Sequence, residues 1–166
     1  MQQRHYQQGI SLLEVLVALL LLAIVVLGFV GVQYKITQAD FSQAQQNKAI
    51  ILANNLLERM QSNHQALPDY LFNSNTPSSS IDCSQSFCTA QQLAEYDISQ
   101  ISQIAKQDAL SIAVLQCPAT AHKQLCIYVA WGETTASDGQ GKPHCTQGIA
   151  YVNNAECIML EAYVYE

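Results

Sequence analysis

The sequence predicts an α+β fold in which a long N-terminal α-helix packs on a small antiparallel β-sheet. An apolar run from Val15 to Val32 is followed by apolar residues at helical spacing as far as Met60. That period is typical of a helix that buries one face. Beyond residue 111, apolar and polar residues alternate with a period of two, which is typical of half-buried strands.

The helix is predicted to continue past the apolar run over residues 33–64. No proline and no further glycine interrupts this segment, so it contains no helix breaker. One face of it is expected to pack against the globular domain, while Asn54, Asn55, Glu58 and Arg59 are expected to lie mainly outside that face. The apolar members of that face, called here the core stripe, are Ala49, Leu52, Ala53, Leu56 and Met60.

The helix is expected to fray at Ser62 and to be closed by Leu67-Pro68. The residue before a proline disfavours helical geometry, which makes this dipeptide a natural boundary. Residues 73–80 consist mainly of Asn, Ser, Thr and Pro, and such a composition predicts a loop.

A second, shorter helix is predicted before residue 110. Thr89 and Gln92 have the form of a capping box, in which each residue satisfies a backbone N–H at the start of a helix. Asp97 is expected to cap a later turn of the same helix. Residues 65–110 are therefore assigned to a loop and a short helix.

Residues 111–166 are predicted to form a disulfide-stapled antiparallel sheet. The strand candidates are Ser111–Cys117, Leu125–Glu133 and Cys157–Glu166. In the second candidate Ile127, Val129 and Trp131 share one face, and Cys126, Tyr128 and Ala130 share the other. The stretch Thr135–Asn154 is predicted to be rich in loops, with Asp138-Gly-Gln-Gly as its turn signal.

All six cysteines lie after residue 82, which predicts disulfides formed in an oxidising compartment. Their spacing lacks the paired C-x2-C pattern of zinc sites. Six cysteines allow fifteen pairings, and proximity in the sequence favours three of them. The first two rest on local spacing, whereas the third is largely what remains. These pairs are Cys83 with Cys88, Cys117 with Cys126, and Cys145 with Cys157.

The charge distribution argues against nucleic acid as a partner. Residues 33–166 hold six Lys and Arg and twelve Asp and Glu, without a basic cluster. A protein that binds nucleic acid neutralises phosphates with such a cluster.

The apolar run Val15–Val32 is expected to be a membrane helix. Its length, about 27 Å at about 1.5 Å per residue, is near the thickness of the hydrocarbon core. A secretory signal has a shorter apolar stretch and a small-residue cleavage site behind it. Arg4 precedes the run, so the positive-inside rule leaves the acidic, cysteine-bearing part outside the cytoplasm. This orientation agrees with the prediction of disulfides.

Glu14 is not explained by a plain membrane anchor, because a carboxylate in an apolar helix is unfavourable without a partner. Cleavage of the chain after Gly9 would create a cationic amine on Ile10. That amine would lie one helical turn from Glu14 and would be equally available to the Glu14 of a neighbouring copy. A carboxylate in apolar surroundings is tolerated when it has such a cation.

The segment Gly9-Ile-Ser-Leu-Leu-Glu-Val-Leu-Val-Ala18 resembles the prepilin cleavage motif of type IV pilins and of type II secretion pseudopilins. This resemblance implies a pilin-like fold. It also implies that a membrane prepilin peptidase cuts after Gly9 and methylates the new N-terminus at Ile10. Glu14 would then be the carboxylate that guides subunit addition.

The same resemblance implies a division of the chain into three parts. Residues 1–9 would be the leader peptide, and residues 10–32 the transmembrane and assembly helix. Residues 33–166 would form the periplasmic globular domain.

Three further segments resemble PilV-type minor pilins: Leu52–Met60, Cys88–Asp97 and Ile127–Trp131. The resemblance implies a minor pilin of a type IV pilus, found in the inner membrane and in the assembled pilus. Its implied partners are other minor pilins, the major pilin and the inner-membrane assembly platform. Such a complex starts or tips the filament and supports adhesion or twitching motility. Two alternatives are a minor pseudopilin of a type II secretion system and a membrane-tethered periplasmic binding module.

No catalytic site, metal site or cofactor site is predicted. The turn at Asp138 has too few oxygen ligands for calcium. The sequence contains no nucleophile-elbow motif and no glycine-rich phosphate loop. The histidines lie in the leader, at a polar helix end or beside cysteines better used in disulfides; they are His5, His64, His122 and His144. An enzymatic role is therefore not expected.

Overall fold

The computed structural model describes residues 12–74, 81–118 and 124–162, and the chain divides into two compact units, Met1–Gln43 and Ala44–Glu166. Its order of elements is a long helix, a 3-10 helix, a second α-helix and then six strands. The predicted α+β class is confirmed.

The long helix α1 runs without interruption from Leu12 to Ser62, so it ends where the sequence predicted that it begins to fray. Asn63 departs from helical geometry, with φ −118° and ψ 44°, and a 3-10 helix follows over His64–Tyr70. Pro68 lies inside that 3-10 helix, so the prediction that Leu67-Pro68 closes the helix was wrong. Proline fixes φ near the value that a 3-10 helix uses. The chain becomes extended only at Leu71.

The core of the second unit lies between α1, the second helix α2 (Ala90–Gln107) and one face of the first sheet. All five members of the core stripe are buried, and Asn54, Asn55 and Glu58 are exposed, as predicted. Arg59 is half-buried, because its guanidinium contacts the buried Asp97 of α2. Burying one full Leu or Met side chain stabilises the fold by about 1.5–3 kcal/mol. The core stripe therefore attaches α1 to the rest of the second unit mainly through apolar contacts.

Helix α2 begins with the predicted capping box. The Gln92 backbone N–H donates to Thr89 Oγ1 at 3.3 Å, and the Thr89 backbone N–H donates to Gln92 Oε1 at 2.9 Å. A cap of this kind stabilises a helix by about 1 kcal/mol. It sets the start of α2 directly after Cys88.

The first sheet contains the three predicted strands in the order β1-β2-β6, all antiparallel. Their bounds are Ser111–Gln116 for β1, Leu125–Ala130 for β2 and Cys157–Ala162 for β6. Ile127 and Val129 face the main core, whereas Cys126 and Tyr128 face a second apolar cluster, as predicted. Both faces of β2 are buried.

The stretch Thr135–Asn154 holds more regular structure than its sequence predicts. It forms a second sheet of three short strands, β3 (Thr135–Asp138), β4 (His144–Gln147) and β5 (Ala150–Tyr151). β3 pairs with β4 in parallel, and β4 pairs with β5 antiparallel. Strands of two to four residues are too short to show a period of two, which is why the prediction of a loop-rich stretch missed them.

Candidate functional surfaces

The first half of α1 exposes an apolar surface on all sides. Every large apolar side chain from Leu12 to Val32 has a relative exposure between 48% and 78%. By length and composition, α1 is the helix in the described part of the chain that is able to cross a membrane. Apolar surface exposed to water costs about 25 cal/mol per Å². This surface is therefore suited to lipid or to other apolar helices.

Glu14 lies in the first turn of α1 and is exposed. Its neighbours along the chain, Leu13 and Val15, are apolar and exposed as well. The other two residues of the predicted processing site, Gly9 and Ile10, lie outside the described residues.

Three disulfides close loops in the second unit, between the cysteines that proximity in the sequence favours. The Cα–Cα distances are 5.6 Å for Cys83–Cys88, 5.0 Å for Cys117–Cys126 and 5.8 Å for Cys145–Cys157. The second bridge lies at the hairpin between β1 and β2. The third links β4 to β6 and so ties the second sheet to the first.

Asp97 is not a helix cap, contrary to the prediction; it is a buried residue in the middle of α2. Its Oδ1 lies 2.7 Å from Arg59 Nη1 on α1. Its Oδ2 accepts a hydrogen bond of 2.6 Å from the Tyr70 hydroxyl. A buried carboxylate is tolerated only with such partners. The capping interpretation failed because both partners are distant in sequence.

Asn63 and Tyr70 extend this polar cluster to the end of α1. The Asn63 side-chain amide donates to the Ala90 carbonyl at 2.8 Å and to the Tyr70 hydroxyl at 3.3 Å. Burial raises the pKa of Tyr70 far above its usual value, and the hydrogen bond that Tyr70 donates to Asp97 raises it further. The start of α2 is therefore held beside the C-terminal end of α1 by a mostly buried network.

The predicted turn at Asp138 connects β3 to β4. Asp138 Oδ1 accepts hydrogen bonds from Thr146 Oγ1 at 2.7 Å and from the Gly148 backbone N–H at 2.8 Å. Ser137 Oγ lies 2.9 Å from His144 Nδ1. These contacts join neighbouring strands of the second sheet, and among the described residues no group of three His, Cys, Asp or Glu is placed to hold a metal ion.

A shallow cleft of about 480 Å³ opens beside the second sheet. Its walls carry Glu133, Lys142 and Glu156, with Pro143 and Ala155 between them. The cleft carries charges of both signs.

Two family models match adjacent parts of the chain. Residues 4–30 match the prokaryotic N-terminal methylation motif, and residues 31–99 match the family described as type IV pilin Tt1218. No curated protein and no solved structure matches the chain. The chain thus carries a segment similar to the prepilin N-methylation motif, followed directly by a segment similar to a type IV pilin family. The motif implies processing by a prepilin peptidase and assembly into a pilus.

Proposed function

We propose that this protein is a minor pilin of a type IV pilus. The proposal rests on the order of the two family matches along the chain. The methylation motif matches residues 4–30, and the pilin family matches residues 31–99. The exposed apolar half of α1 supports it, because that surface needs lipid before assembly and helical neighbours afterwards. Pilins are structural proteins, so the proposed role is assembly and not catalysis.

In the proposed pathway a prepilin peptidase removes residues 1–9 by cutting after Gly9. It then methylates the amine of Ile10. Residues 10–32 remain in the inner membrane, and residues 33–166 lie in the periplasm. The three disulfides support that location, because disulfides form and persist in oxidising compartments.

Assembly in this proposal combines apolar packing with one charge pair. The apolar half of α1 leaves lipid and enters a bundle of pilin helices. There Glu14 meets the cationic Ile10 amine of its own or a neighbouring subunit. The pair would be strong because the surroundings are apolar and screen charges poorly. When the pair joins two subunits, it also selects one axial position, since a misplaced subunit would lose this contact.

A minor rather than a major role is proposed because the chain resembles PilV-type minor pilins at Leu52–Met60, Cys88–Asp97 and Ile127–Trp131. The partners are then other minor pilins, the major pilin and the inner-membrane assembly platform. The complex would start or tip the filament and support adhesion or twitching motility.

The mass of the intact protein, purified from its own cells, tests the processing step. The expected mass is that of residues 10–166, plus the CH2 that one N-methylation adds and minus the six hydrogens lost in three disulfides. A strain that lacks the prepilin peptidase should yield the full chain instead. Recovery of the uncut, unmethylated chain from wild-type cells would show that α1 serves only as a membrane anchor.

Subunits of type IV pili and of type II secretion systems carry the same motif, so the motif does not distinguish the two. The phenotype of a gene deletion does. Loss of surface pili with normal secretion is the expected result. Loss of secretion with normal piliation would instead assign the chain to a type II pseudopilus.

A further inference from the structure

The Cys83–Cys88 disulfide is open to solvent at both of its ends. Cys83 and Cys88 are each half-buried, and residues 84–87 between them are all exposed. In each of the other two bridges one cysteine is completely buried, since the relative exposure of Cys126 and of Cys145 is 0%. Thiol–disulfide exchange requires that a thiolate reach one sulfur while the other sulfur leaves. A thiol from solution therefore meets the least obstruction at the Cys83–Cys88 bridge.

The other two bridges also offer a poor leaving sulfur. Cys117 and Cys126 are both buried, so a thiolate reaches neither of them in the folded chain. Cys157 is half-buried and open to attack, but its partner Cys145 lies in the second apolar cluster. Attack on Cys157 would expel Cys145 as a thiolate into apolar surroundings, which destabilise that charge. Burial thus protects both bridges while the chain is folded.

The two sulfurs of the accessible bridge differ in how well each would hold a negative charge. Cys88 directly precedes Thr89, the N-cap of α2, and the first turn of α2 contains no acidic residue. The N-terminus of a helix carries a partial positive charge, which stabilises a thiolate beside it. Cys83 Sγ lies instead 3.8 Å from the Gln92 carbonyl oxygen, and the carboxylate of Asp82 is its neighbour in the chain. Cys88 is therefore the better leaving group of the two.

We propose that Cys83 Sγ is a thiolation site for small thiols. A thiolate attacks Cys83 Sγ, a new S–S bond forms there, and the bond to Cys88 Sγ breaks. The electron pair of the broken bond leaves with Cys88 as a thiolate. The step needs no oxidant and no reductant, since one disulfide replaces another. Return of the Cys88 thiolate to Cys83 Sγ expels the small thiol and restores the bridge, so the modification is reversible.

The charges beside the bridge select the kind of small thiol. Hydrogen bonds from the Ser84 hydroxyl and the Ser84 backbone N–H hold the pKa of the Asp82 carboxyl below its usual value. Asp82 is therefore ionised at neutral pH, and residues 81–105 contain no Lys or Arg to neutralise it. This carboxylate repels a thiol that carries a second negative charge and attracts one that carries an ammonium group. The chemical class is thus a small aminothiol.

The fold around the site does not depend on the bridge alone. The capping box joins Thr89 to Gln92 and involves neither cysteine. The Asn63 side-chain amide holds the Ala90 carbonyl at 2.8 Å. We therefore expect the thiolated chain to keep its α2 helix and the far-UV circular dichroism of the unmodified chain. The reaction needs only the folded chain and a thiol, so it is independent of the proposed role in a pilus.

Brief exposure of the full chain in detergent to excess cysteamine tests the site. Acid stops the exchange, N-ethylmaleimide traps the free thiols, and mass spectrometry of the peptides locates both labels. We expect cysteamine on Cys83 and maleimide on Cys88, in about tenfold excess over the reverse arrangement, and opening of the other two bridges about tenfold more slowly. An adduct mainly on Cys88, equal rates at all three bridges or the absence of an adduct would overturn the proposal.

The same reaction in urea is the control for the folded structure. Unfolding removes both the burial of the other bridges and the helix beside Cys88. The three bridges should then open at similar rates, and cysteamine should divide about equally between Cys83 and Cys88. An unchanged preference in urea would overturn the assignment, because the fold would then not be its cause.

Two variants with the same charge change test why Cys88 leaves. Gln91→Glu places a carboxylate in the first turn of α2, whereas Gln103→Glu places one near the other end; both positions are exposed. At low salt Gln91→Glu should open the bridge about threefold more slowly than the wild type, and Gln103→Glu should match the wild type. Equal rates for the two variants would contradict the role of Cys88 as the leaving group.

A pair of thiols of similar size tests the chemical class. Cysteamine carries an ammonium group, and mercaptoethanesulfonate carries a sulfonate in its place. Per thiolate, cysteamine should react about tenfold faster at low ionic strength, and the difference should shrink in high salt. Equal rates for the two thiols at low ionic strength would refute the preference for an aminothiol.

Discussion

The Arg59 guanidinium on α1 lies 2.7 Å from the Asp97 carboxylate on α2, and this contact joins the two helices. Lys48 and Asp108, the residue that caps the C-terminal end of α2, join the same helices at 2.7 Å. The partners are eleven positions apart on each helix and in opposite order, so α1 and α2 run antiparallel in this region. Eleven residues make about three helical turns. Both ion pairs therefore lie on the same side of each helix and set one register.

The two ion pairs are expected to differ in strength because they differ in burial. Asp97→Asn should lower the free energy of unfolding by about 2–3 kcal/mol, because it leaves the half-buried Arg59 charge without a counter-ion. Asp108→Asn is the matched control, since the side chains of Lys48 and Asp108 are 49% and 37% exposed. It should cost no more than about 1 kcal/mol. Urea unfolding of the full chain in detergent, followed by the fluorescence of the single Trp131, measures both; equal losses would contradict this ranking.

Tyr70 and Tyr128 are expected to stay protonated at a pH at which exposed tyrosines ionise. Burial raises the pKa of both hydroxyls. Since the folded pKa lies above the unfolded value of about 10, the associated stability is complete below about pH 10 and is lost as the pH rises beyond it. Tyrosinate absorbance during an alkaline titration should show a late step that becomes smaller in Tyr70→Phe, in which Tyr128 still contributes to it.

Glu14→Ala is expected to leave cleavage largely intact and to impair assembly. The peptide bond after Gly9 is unchanged in this variant, whereas the Ile10 amine loses its proposed counter-ion. Mass spectrometry of the membrane fraction measures cleavage, and the amount of the chain in sheared filaments measures assembly. Glu95→Ala, which removes an exposed carboxylate from α2, should behave like the wild type in both assays. Normal incorporation of Glu14→Ala would exclude the charge pair.

The disulfides are expected to stabilise the fold according to the length of the loop that each one closes. Replacing Cys83 and Cys88 with Ser should cost about 2 kcal/mol, and replacing Cys145 and Cys157 about 3 kcal/mol, in the chain-entropy account. The first bridge closes a shorter loop, with a sequence separation of 5 against 12. Thermal unfolding of the two double variants tests the order. The opposite order would show that the Cys145–Cys157 link between the two sheets adds little to the free energy of unfolding.

Local patterns predicted much of the fold. The core stripe, the capping box at Thr89 and the two faces of β2 were all readable because each depends on residues a few positions apart. The second sheet was missed because its strands are only two to four residues long. Such strands form where neighbours across the fold supply hydrogen-bond partners, as Thr146 and Gly148 do for Asp138.

The candidate functional surfaces also differ in whether the sequence alone predicted them. The apolar run and the unusual Glu14 within it were visible in the sequence, because a continuous apolar segment and a charge inside it need no tertiary contact to be recognised. The exposure of the Cys83–Cys88 bridge was not predicted, since the sequence does not reveal whether a disulfide is buried or exposed. Its exposure depends on how the disulfide loop sits beside α2.

The sequence by itself determined the helix, its apolar first half and the approximate place of the main strands, since short-range periodicity and composition specify these features. Only the tertiary structure decided the role of Asp97. Its partners, Arg59 and Tyr70, lie 38 and 27 positions away. The role of a buried carboxylate depends on the cation and the hydroxyl that the fold brings within 3 Å of it. No local sequence pattern predicts contacts between residues so far apart in the chain.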